Sequence, residues 1–239
     1  RSVGADVVFL QEVTGSHLKH AAKFDNYTDE PHYEFLADSI WPQYAYGRNA
    51  VYTNGHHGNA VLSKFPIVHF ENRDVSISGP ERRGLLHCVL QMPDGRPNVH
   101  AICVHLGLLE AHRRQQMNMI CEMVKHDIPA TAPVIVAGDF NDWGEKLDAP
   151  MRAMGLSRAT SAGAASKLTF PSRIPVFSLD RIYTRGFSCS HSFVPRGKAW
   201  ARMSEHLPLV AELAMPRFIS PGDSATIALD VTNLSGEAQ

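Results

Sequence analysis

The sequence lacks the features that mark several classes of protein. No run of lysine or arginine exceeds two residues, and the formal net charge is −1, whereas proteins that hold long duplex DNA through its phosphates usually carry a basic surplus. The four cysteines show no Cys-x-x-Cys spacing, which indicates free thiols in a reducing compartment without a disulfide framework. No apolar run approaches the roughly 18 residues of a membrane helix, and no signal peptide is visible. We therefore expect a cytoplasmic protein.

The overall composition is that of an ordinary globular protein. Of the 239 residues, 44% are hydrophobic and 20% are charged, which is typical of chains that bury a core. This length is enough for one large domain or two small ones.

The most informative stretch is Pro133 to Asp142. Four aliphatic residues follow the proline, which predicts a strand buried on both faces and ended by Gly138. Asp139 and Asn141 are two residues apart, so in extended backbone their side chains lie on the same side. A carboxylate and an amide at the end of a buried strand suit a hard cation or a phosphoryl group. The same residues would also fit an Asx-rich turn after a core strand, with no ligand bound.

Polar side chains also stand at the ends of other predicted strands. The apolar run from Ala5 to Val13 contains Glu12, whose carboxylate is costly to bury unless it is paired or bound to a metal, although it can equally be a surface residue. Since ligands collect at strand ends in layered α/β folds, we expect these residues to share one cleft. Seven of them stand at five strand edges: Glu12, His105, Asp139, Asn141, Asp180, Glu205 and His206.

The order of the predicted elements indicates the fold class. Helical spacing is found over 31–41 and, most clearly, over 108–128, where apolar residues form one stripe. Strands alternate with helices in the first half and with loops in the second, which predicts two mixed sheets packed face to face with helices outside. His56 and His57, in a glycine-rich loop, are interpreted as solvated rather than metal-bound.

Six short motifs together resemble the endonuclease/exonuclease/phosphatase superfamily of metal-dependent phosphoesterases, in its bacterial branch of uncharacterised hydrolases. The resemblance covers about residues 5–215, and the motifs follow the order of that family. They are Leu10-Gln11-Glu12, Gly58-Asn59-Ala60-Val61-Leu62-Ser63, Val104-His105, Gly138-Asp139-Phe140-Asn141-Asp142, Leu179-Asp180-Arg181-Ile182 and Ser204-Glu205-His206.

The resemblance implies a four-layer α/β sandwich that uses Mg²⁺ or Mn²⁺ to hydrolyse a phosphodiester or phosphomonoester of a nucleic acid, a phospholipid or a small molecule. Glu12 would be the metal ligand. Asp139 would orient and deprotonate the attacking water, and Asn141 would hold a phosphoryl oxygen. Little covalent chemistry is needed, since phosphoryl transfer depends mainly on positioning and charge neutralisation.

The remaining site residues follow from the same resemblance. His105 and His206 would stabilise or protonate the developing charge, and Asp180 would support the site. Glu205 would fix the tautomer of the His206 ring and is also considered as a metal ligand. For substrate binding, the residues proposed are Asn59, Arg48 and Arg83.

The chain departs from the family pattern in three places. The first strand of the family, which carries an asparagine near the metal, should precede residue 5 and is absent, so we expect an N-terminally truncated domain over 1–215. Glu205 replaces the usual aspartate. Residues 216–239 resemble, over a short stretch, a strand pair of bacterial macroglobulin-like proteins and predict an extra strand or tail, with 226–231 a candidate for the vacant place in the sheet.

Two other functions compete with this interpretation. The departures favour a catalytically impaired binding or scaffold module that keeps the same fold. A calcineurin-like binuclear metallophosphatase is disfavoured, because Ala60 follows Gly58-Asn59 and no Gly-His-x-His sequence occurs.

Overall fold

The computed structural model describes residues 3–17, 40–53, 55–160, 167–215 and 226–233. Two six-stranded sheets account for most of these residues. The first sheet has the strand order β10-β11-β12-β1-β3-β2 and the second has the order β4-β5-β6-β7-β9-β8. The strands of the first sheet are β1 (Val7–His17), β2 (Gln43–Tyr52), β3 (Gly55–Ser63), β10 (Ser188–Phe193), β11 (Leu209–Ala214) and β12 (Thr226–Asn233).

Both sheets are mixed, as predicted, because β1 pairs with β12 and β6 with β7 in parallel while the other pairs are antiparallel. The strands of the second sheet are β4 (Ile67–Asp74), β5 (Gly84–Leu90), β6 (Val99–His105), β7 (Val134–Asp139), β8 (Ser157–Arg158) and β9 (Asp180–Arg185). The described helices are α1 (Glu110–Asp127), α2 (Asp148–Ala153) and α3 (Trp200–Met203). None of the helices in the described ranges is long and apolar enough to span a membrane.

Strand β7 shows how the layers are built, because both of its faces are buried. Ile135 and Ala137 pack between the two sheets. Val134 and Val136 pack on the other side, in the cluster that includes the apolar stripe of α1. The two-sided burial predicted from the aliphatic run is therefore confirmed, and so is the sandwich of sheets with helices outside. Most of the helix predicted over 31–41 lies outside the described residues.

One strand begins later than its sequence pattern indicates. The run from Val176 to Tyr183 predicts a single strand, but β9 begins at Asp180. Residues 170–177 instead form a loop closed by a bridge between Phe170 and Phe177. The backbone N–H groups of Val176 and Phe177 both donate to the carbonyl of Phe170, at 2.9 Å each, which engages this part of the run in the loop and not in the sheet.

Strand β12 lies between β11 and β1 in the first sheet. It runs parallel to β1, with Val7 opposite Leu229 and Gln11 opposite Asn233. This is the place beside the 5–13 strand for which residues 226–231 were a candidate. The division of the chain at residue 215 stays a prediction.

A pair of histidines lies on the helix-covered face of the second sheet. His87 Nε2 is 2.9 Å from His100 Nδ1, and the two rings stack with centroids 5.2 Å apart. Burial lowers the pKa of His87 to about 4, with further lowering by His100, by Arg73 and by His69 on β4, against a raising effect of Glu71. His87 is therefore neutral in the folded protein at ordinary pH.

Deleting residues 216–239 should destabilise the protein strongly, because β12 is hydrogen-bonded to a strand on each side. About ten backbone hydrogen bonds at 0.5–1.5 kcal/mol each suggest a loss on the order of 5 kcal/mol or more. Urea denaturation measures this loss. Deletion of residues 234–239 alone serves as the control and should leave the midpoint nearly unchanged; equal midpoints for all three proteins would show that β12 adds nothing to the sheet.

Acid should destabilise the protein through His87. Unfolded His87 takes up a proton near its ordinary pKa of 6.5, whereas the folded protein resists protonation down to about 4. The unfolded state binds more protons between these values, so stability falls as the pH drops through this window, by about 2 kcal/mol between pH 6.5 and pH 5. A His87→Gln variant should show a flatter dependence of the denaturation midpoint on pH. A slope identical to that of the parent protein would contradict the assignment.

Candidate active site

Three neighbouring strands of the second sheet bring their polar ends to one edge. His105 ends β6 and is paired in register with Asp139, which ends the parallel strand β7. Asp139 is in turn paired with Asp180, the first residue of the antiparallel strand β9. The sheet therefore places these three side chains next to each other, although they are far apart in the sequence.

Asp139 is buried at the centre of this group. Its Oδ1 accepts a hydrogen bond from the backbone N–H of Asn141 at 2.8 Å. Its Oδ2 lies 3.6 Å from His105 Nε2 and 4.0 Å from His206 Nε2. Burial and then the charge of Asp180 raise the pKa of Asp139 to about 7, while the positive charge of His206 opposes the rise. This carboxyl group exchanges a proton near neutral pH.

His206 is held by Asp180, whose Oδ2 lies 2.7 Å from the ring Nδ1. Burial lowers the pKa of His206, but the charge and hydrogen bond of Asp180, followed by the charge of Asp139, outweigh burial and raise it to about 9. The ring is therefore an imidazolium at neutral pH, with one N–H donated to Asp180 and the other facing Asp139. The ring of Phe170 packs against it, with centroids 4.8 Å apart.

His105 is neutral, in contrast to the positively charged ring of His206. Burial, followed by the positive charges of Arg83 and His206, moves its pKa well below the ordinary value. Arg83 Nη1 lies 3.4 Å from His105 Nδ1. A guanidinium only donates, so Nδ1 is the acceptor and the single ring proton sits on Nε2, which faces Asp139. Glu81 orients Arg83 through a salt bridge of 2.8 Å.

A β-bulge brings Glu12 to the same edge from the first sheet. The register between β1 and β3 shifts between Leu10, opposite Ala60, and Val13, opposite Gly58. Gln11 and Glu12 therefore oppose the single residue Asn59, and Glu12 has a φ of 56°. Glu12 Oε1 lies 3.8 Å from His105 Nδ1.

Asn59 and Asn141 are both fixed through their amide nitrogens. Asn59 Nδ2 donates to the backbone carbonyl of Gly84 in the other sheet at 2.9 Å. Asn141, with a φ of 47°, donates from Nδ2 to the carbonyl of Leu106 at 2.9 Å. Within the described ranges, the buried Oδ1 atom of Asn59 has no hydrogen-bond partner.

A buried ion pair fixes the loop that follows β7. Arg181 Nη1 donates to Asp142 Oδ2 at 2.8 Å, and its Nη2 donates to the carbonyl of Asp142 at 2.6 Å. Both side chains are almost fully buried. The pair ties the segment carrying Asn141 to the start of β9, next to Asp180. Sequence analysis included both residues in its motifs but gave neither of them a role.

The structure separates two predicted site residues from this group. Glu205 was expected to fix the tautomer of His206, but its side chain is exposed and the carboxylate at the ring is that of Asp180. Ser204 is extended, so alternate residues face opposite ways and Glu205 faces away when His206 is buried. Arg48 is exposed on β2, opposite Gly58. No contact joins it to the buried group in the described part of the chain, and its substrate role stays a prediction.

Sequence analysis interpreted His57 as solvated rather than metal-bound and gave it no place at the site. The ring is half-buried in β3, and Nε2 lies 2.9 Å from the hydroxyl of Tyr52. Burial lowers the pKa of His57, while nearby Glu12 raises it and Arg83 lowers it. His57 thus borders the site. The tyrosines that alternate in the neighbouring strand were the available signal.

The donor atoms of the site fit a hard divalent cation. Carboxylate oxygens of Asp139 and Asp180 lie within 4.8 Å of each other and of a ring nitrogen of His206, which as an imidazolium donates hydrogen bonds and does not coordinate an ion. Glu12 adds a partly exposed carboxylate, and two buried oxygens without protein partners in the described ranges, Asn59 Oδ1 and Asp180 Oδ1, add further capacity. Oxygen donors of this kind match the preference of Mg²⁺ and Mn²⁺.

Comparison with known proteins agrees with this geometry. The chain is 49% identical over 215 residues to the uncharacterised protein YbhP of Escherichia coli (strain K12), covering 89% of this chain and 85% of that protein. An endonuclease/exonuclease/phosphatase from Beutenbergia cavernae superposes with a TM-score of 0.67 at 16% identity, covering 91% of this chain and 74% of that one. The mannosyl-6-phosphatase Bt3783 of Bacteroides thetaiotaomicron superposes with a TM-score of 0.59 at 17% identity, covering 87% and 98%.

The family comparison covers most of the chain. The model of the "Endonuclease/Exonuclease/phosphatase family" matches residues 1–206, a range that includes every residue of the buried group described above. The fold is thus that of a family of phosphoesterases, and the chain belongs to the endonuclease/exonuclease/phosphatase family.

Proposed function

We propose that the protein is a metal-dependent phosphoesterase that hydrolyses its substrate by attack of an activated water. The observation that carries this proposal is the buried Asp139, whose pKa is raised to about 7 between a charged and a neutral histidine. A general base works best when its pKa lies near the working pH. In this site, the base and two N–H donors converge on one point.

Asp139 takes the proton of the attacking water at Oδ2, because Oδ1 is engaged by the backbone N–H of Asn141. This hydrogen bond holds the carboxylate plane, so the free oxygen keeps its direction. Asn141 itself is fixed by Leu106, and we assign its amide to the orientation of a phosphoryl oxygen. Positioning of this kind can account for a large share of the rate of a phosphoryl transfer.

His206 and His105 stabilise the negative charge that develops during the reaction. The His206 imidazolium presents Nε2–H, from which it can protonate the leaving-group oxygen, while Asp180 keeps the ring oriented. His105 presents a neutral Nε2–H, and Arg83 prevents the opposite tautomer by donating to Nδ1. His206 thus supplies a proton that can be transferred, and His105 supplies an N–H donor of fixed direction.

Glu12 would hold Mg²⁺ or Mn²⁺, with Oδ1 of Asn59 and Oδ1 of Asp180 as further donors. When bound, the ion would supply positive charge to the phosphoryl group. We assign Arg83 to substrate phosphate as well as to His105, because its guanidinium is only partly engaged by Glu81.

The scaffold alternative is not favoured. It rested partly on Glu205 in place of an aspartate, but the ring of His206 is held by Asp180 and does not depend on residue 205. A base, an acid and a neutral donor all remain in the site.

Replacing Asp139 with asparagine should lower the turnover of bis(p-nitrophenyl) phosphate on the order of 10²-fold or more, because the general base is lost. His206→Gln should show a similar loss, and EDTA should abolish turnover in the parent protein. The exposed neighbour Glu205→Gln is the matched control and should keep near-parental turnover. Unchanged rates in Asp139→Asn and His206→Gln with Mg²⁺ present would refute the proposal.

Replacing Asp180 with asparagine should discharge His206. The pKa of His206 stands at about 9 because Asp180 outweighs burial; without that carboxylate the pKa should fall to or below 6.5, so the ring becomes neutral as the pH rises through the new value. NMR titration of the histidine Cε1–H signals in metal-free protein measures the change directly. In assays, the loss of activity should therefore be larger at pH 8 than at pH 6. A His206 pKa that stays near 9 in Asp180→Asn would show that another group charges the ring.

A further inference from the structure

A group of large apolar side chains is exposed beside the active site. We call Trp143, Ile174, Val176, Phe177 and Met203 the mouth patch. Ile174 and Val176 are 74% and 54% exposed, and the other three are between 39% and 49% exposed. Single exposed apolar residues are common, but several together on a folded chain usually mark a surface that meets something apolar.

The mouth patch is fixed relative to His206 by direct contacts. Trp143 packs edge-on against Phe177 and Phe170, with ring centroids 4.6 and 5.7 Å apart, and Phe170 packs on the ring of His206. The Phe170–Phe177 bridge closes the loop from its other side. The patch therefore begins where the proposed leaving-group acid stands.

The loop that carries Ile174 and Val176 is also tied to helix α3. The backbone N–H of Ser172 donates to the carbonyl of Glu205 at 2.7 Å, and its hydroxyl donates to the carbonyl of Ala201 at 3.3 Å. These bonds bring the tip of the loop next to Met203. The apolar side chains thus come from three segments that are joined by these hydrogen bonds and by the ring contacts of Trp143.

Positive charge predominates in the segments around this apolar rim. Arg173 lies at the loop tip between Ser172 and Ile174, and Arg202 precedes Met203; both are exposed. Exposed Arg196 and Lys198 lie just before α3. Exposed Glu205, after α3, and exposed Glu145, two residues after Trp143, bring negative charge, so the four cations leave a local excess of two positive charges.

We propose that the mouth patch docks on an anionic phospholipid surface, and that the active site takes the phosphoester head group of a lipid held in that surface. This rests on the proposed phosphoesterase function and names its substrate class. Apolar side chains enter the acyl boundary while nearby lysine and arginine meet lipid phosphates. Trp143 and Phe177 are aromatic but pack edge-on against each other. The most exposed patch residues, Ile174, Val176 and Met203, are not aromatic and cannot stack on nucleic-acid bases, which favours a lipid over a single strand.

The test separates docking from catalysis by using the inactive variant Asp139→Asn. This protein is sedimented with vesicles of equimolar phosphatidylcholine and phosphatidylglycerol, and with vesicles of phosphatidylcholine alone. We expect binding to the anionic vesicles that salt weakens, a blue shift of tryptophan fluorescence, and much weaker binding to the neutral vesicles. Adding Ile174→Asp and Val176→Asp should weaken binding about a hundredfold, since two apolar anchors are lost.

Val68→Asp is the matched control. Val68 is 52% exposed on β4 at the other end of the second sheet, where β4 pairs with the Leu90 end of β5. When Val68→Asp is added to Asp139→Asn, vesicle binding should equal that of Asp139→Asn alone. In the active protein, Ile174→Asp with Val176→Asp should lower hydrolysis of phosphatidylglycerol in vesicles while turnover of soluble bis(p-nitrophenyl) phosphate stays unchanged.

Each outcome bears on one proposal. Three results would each overturn lipid docking. The first is an equal loss of vesicle binding in the Val68→Asp control, and the second is vesicle binding that Ile174→Asp with Val176→Asp does not change. The third is patch-dependent binding of labelled single-stranded DNA without vesicle binding. Binding without any loop-dependent hydrolysis of phosphatidylglycerol would also overturn lipid docking, provided the soluble diester is turned over. Vesicle binding with no turnover of either substrate by the parent protein would instead overturn the phosphoesterase function and leave docking standing.

Discussion

The site depends on one electrostatic constraint: two carboxylates, Asp139 and Asp180, are buried side by side. Sheet register fixes them as direct neighbours, and like charges at this spacing cannot both be ionised without compensation. The imidazolium of His206 supplies that compensation, since it is bonded to Asp180 and faces Asp139. Asp180 is the hydrogen-bond partner that holds the ring, and Asp139 carries the group's readily exchanged proton. The two carboxyl groups take different roles because Asp180 is hydrogen-bonded to the His206 ring at 2.7 Å, whereas Asp139 lies 4.0 Å from it.

The surrounding structure keeps this arrangement from relaxing. The buried pair of Asp142 and Arg181 locks the loop after β7 against the start of β9, and breaking a buried pair of this kind costs several kcal/mol because one charge is left alone. From the other sheet, the bulge at Glu12 delivers a carboxylate to the same edge without disturbing the apolar residues before it. Rigid packing between the sheets thus sets the distances among the buried polar groups, while the carboxylate of Glu12 stays partly exposed.

Much of this could be predicted from the sequence, but only where the signal is local. The aliphatic run predicted a buried strand with polar groups at its end, and the structure has it. The extended backbone assumed for the Asp139–Asn141 spacing is wrong, because β7 ends at Asp139 and Asn141 has a left-handed φ of 47°. The partner of His206 could not be found in this way, because Asp180 reaches it through sheet pairing rather than through sequence proximity. Glu205 misled for the same reason: adjacency in an extended segment places side chains on opposite sides. The exposure of Val176 was also hidden, because the apolar run from Val176 to Tyr183 predicted a single strand.

The position of β12 has a consequence for how the chain acquires its structure. β1, which carries Glu12, pairs with residues that follow it by roughly 220 positions, so the contacts of this sheet are among the least local that a chain of this length can make. Closing so long a loop costs entropy before any ladder bond compensates for it, and folding slows accordingly. On the ribosome, β1 emerges early and waits with an open edge until residues 226–233 have left the exit tunnel. The edge of β1, the strand that carries Glu12, is thus closed late in synthesis by a strand from the far end of the sequence.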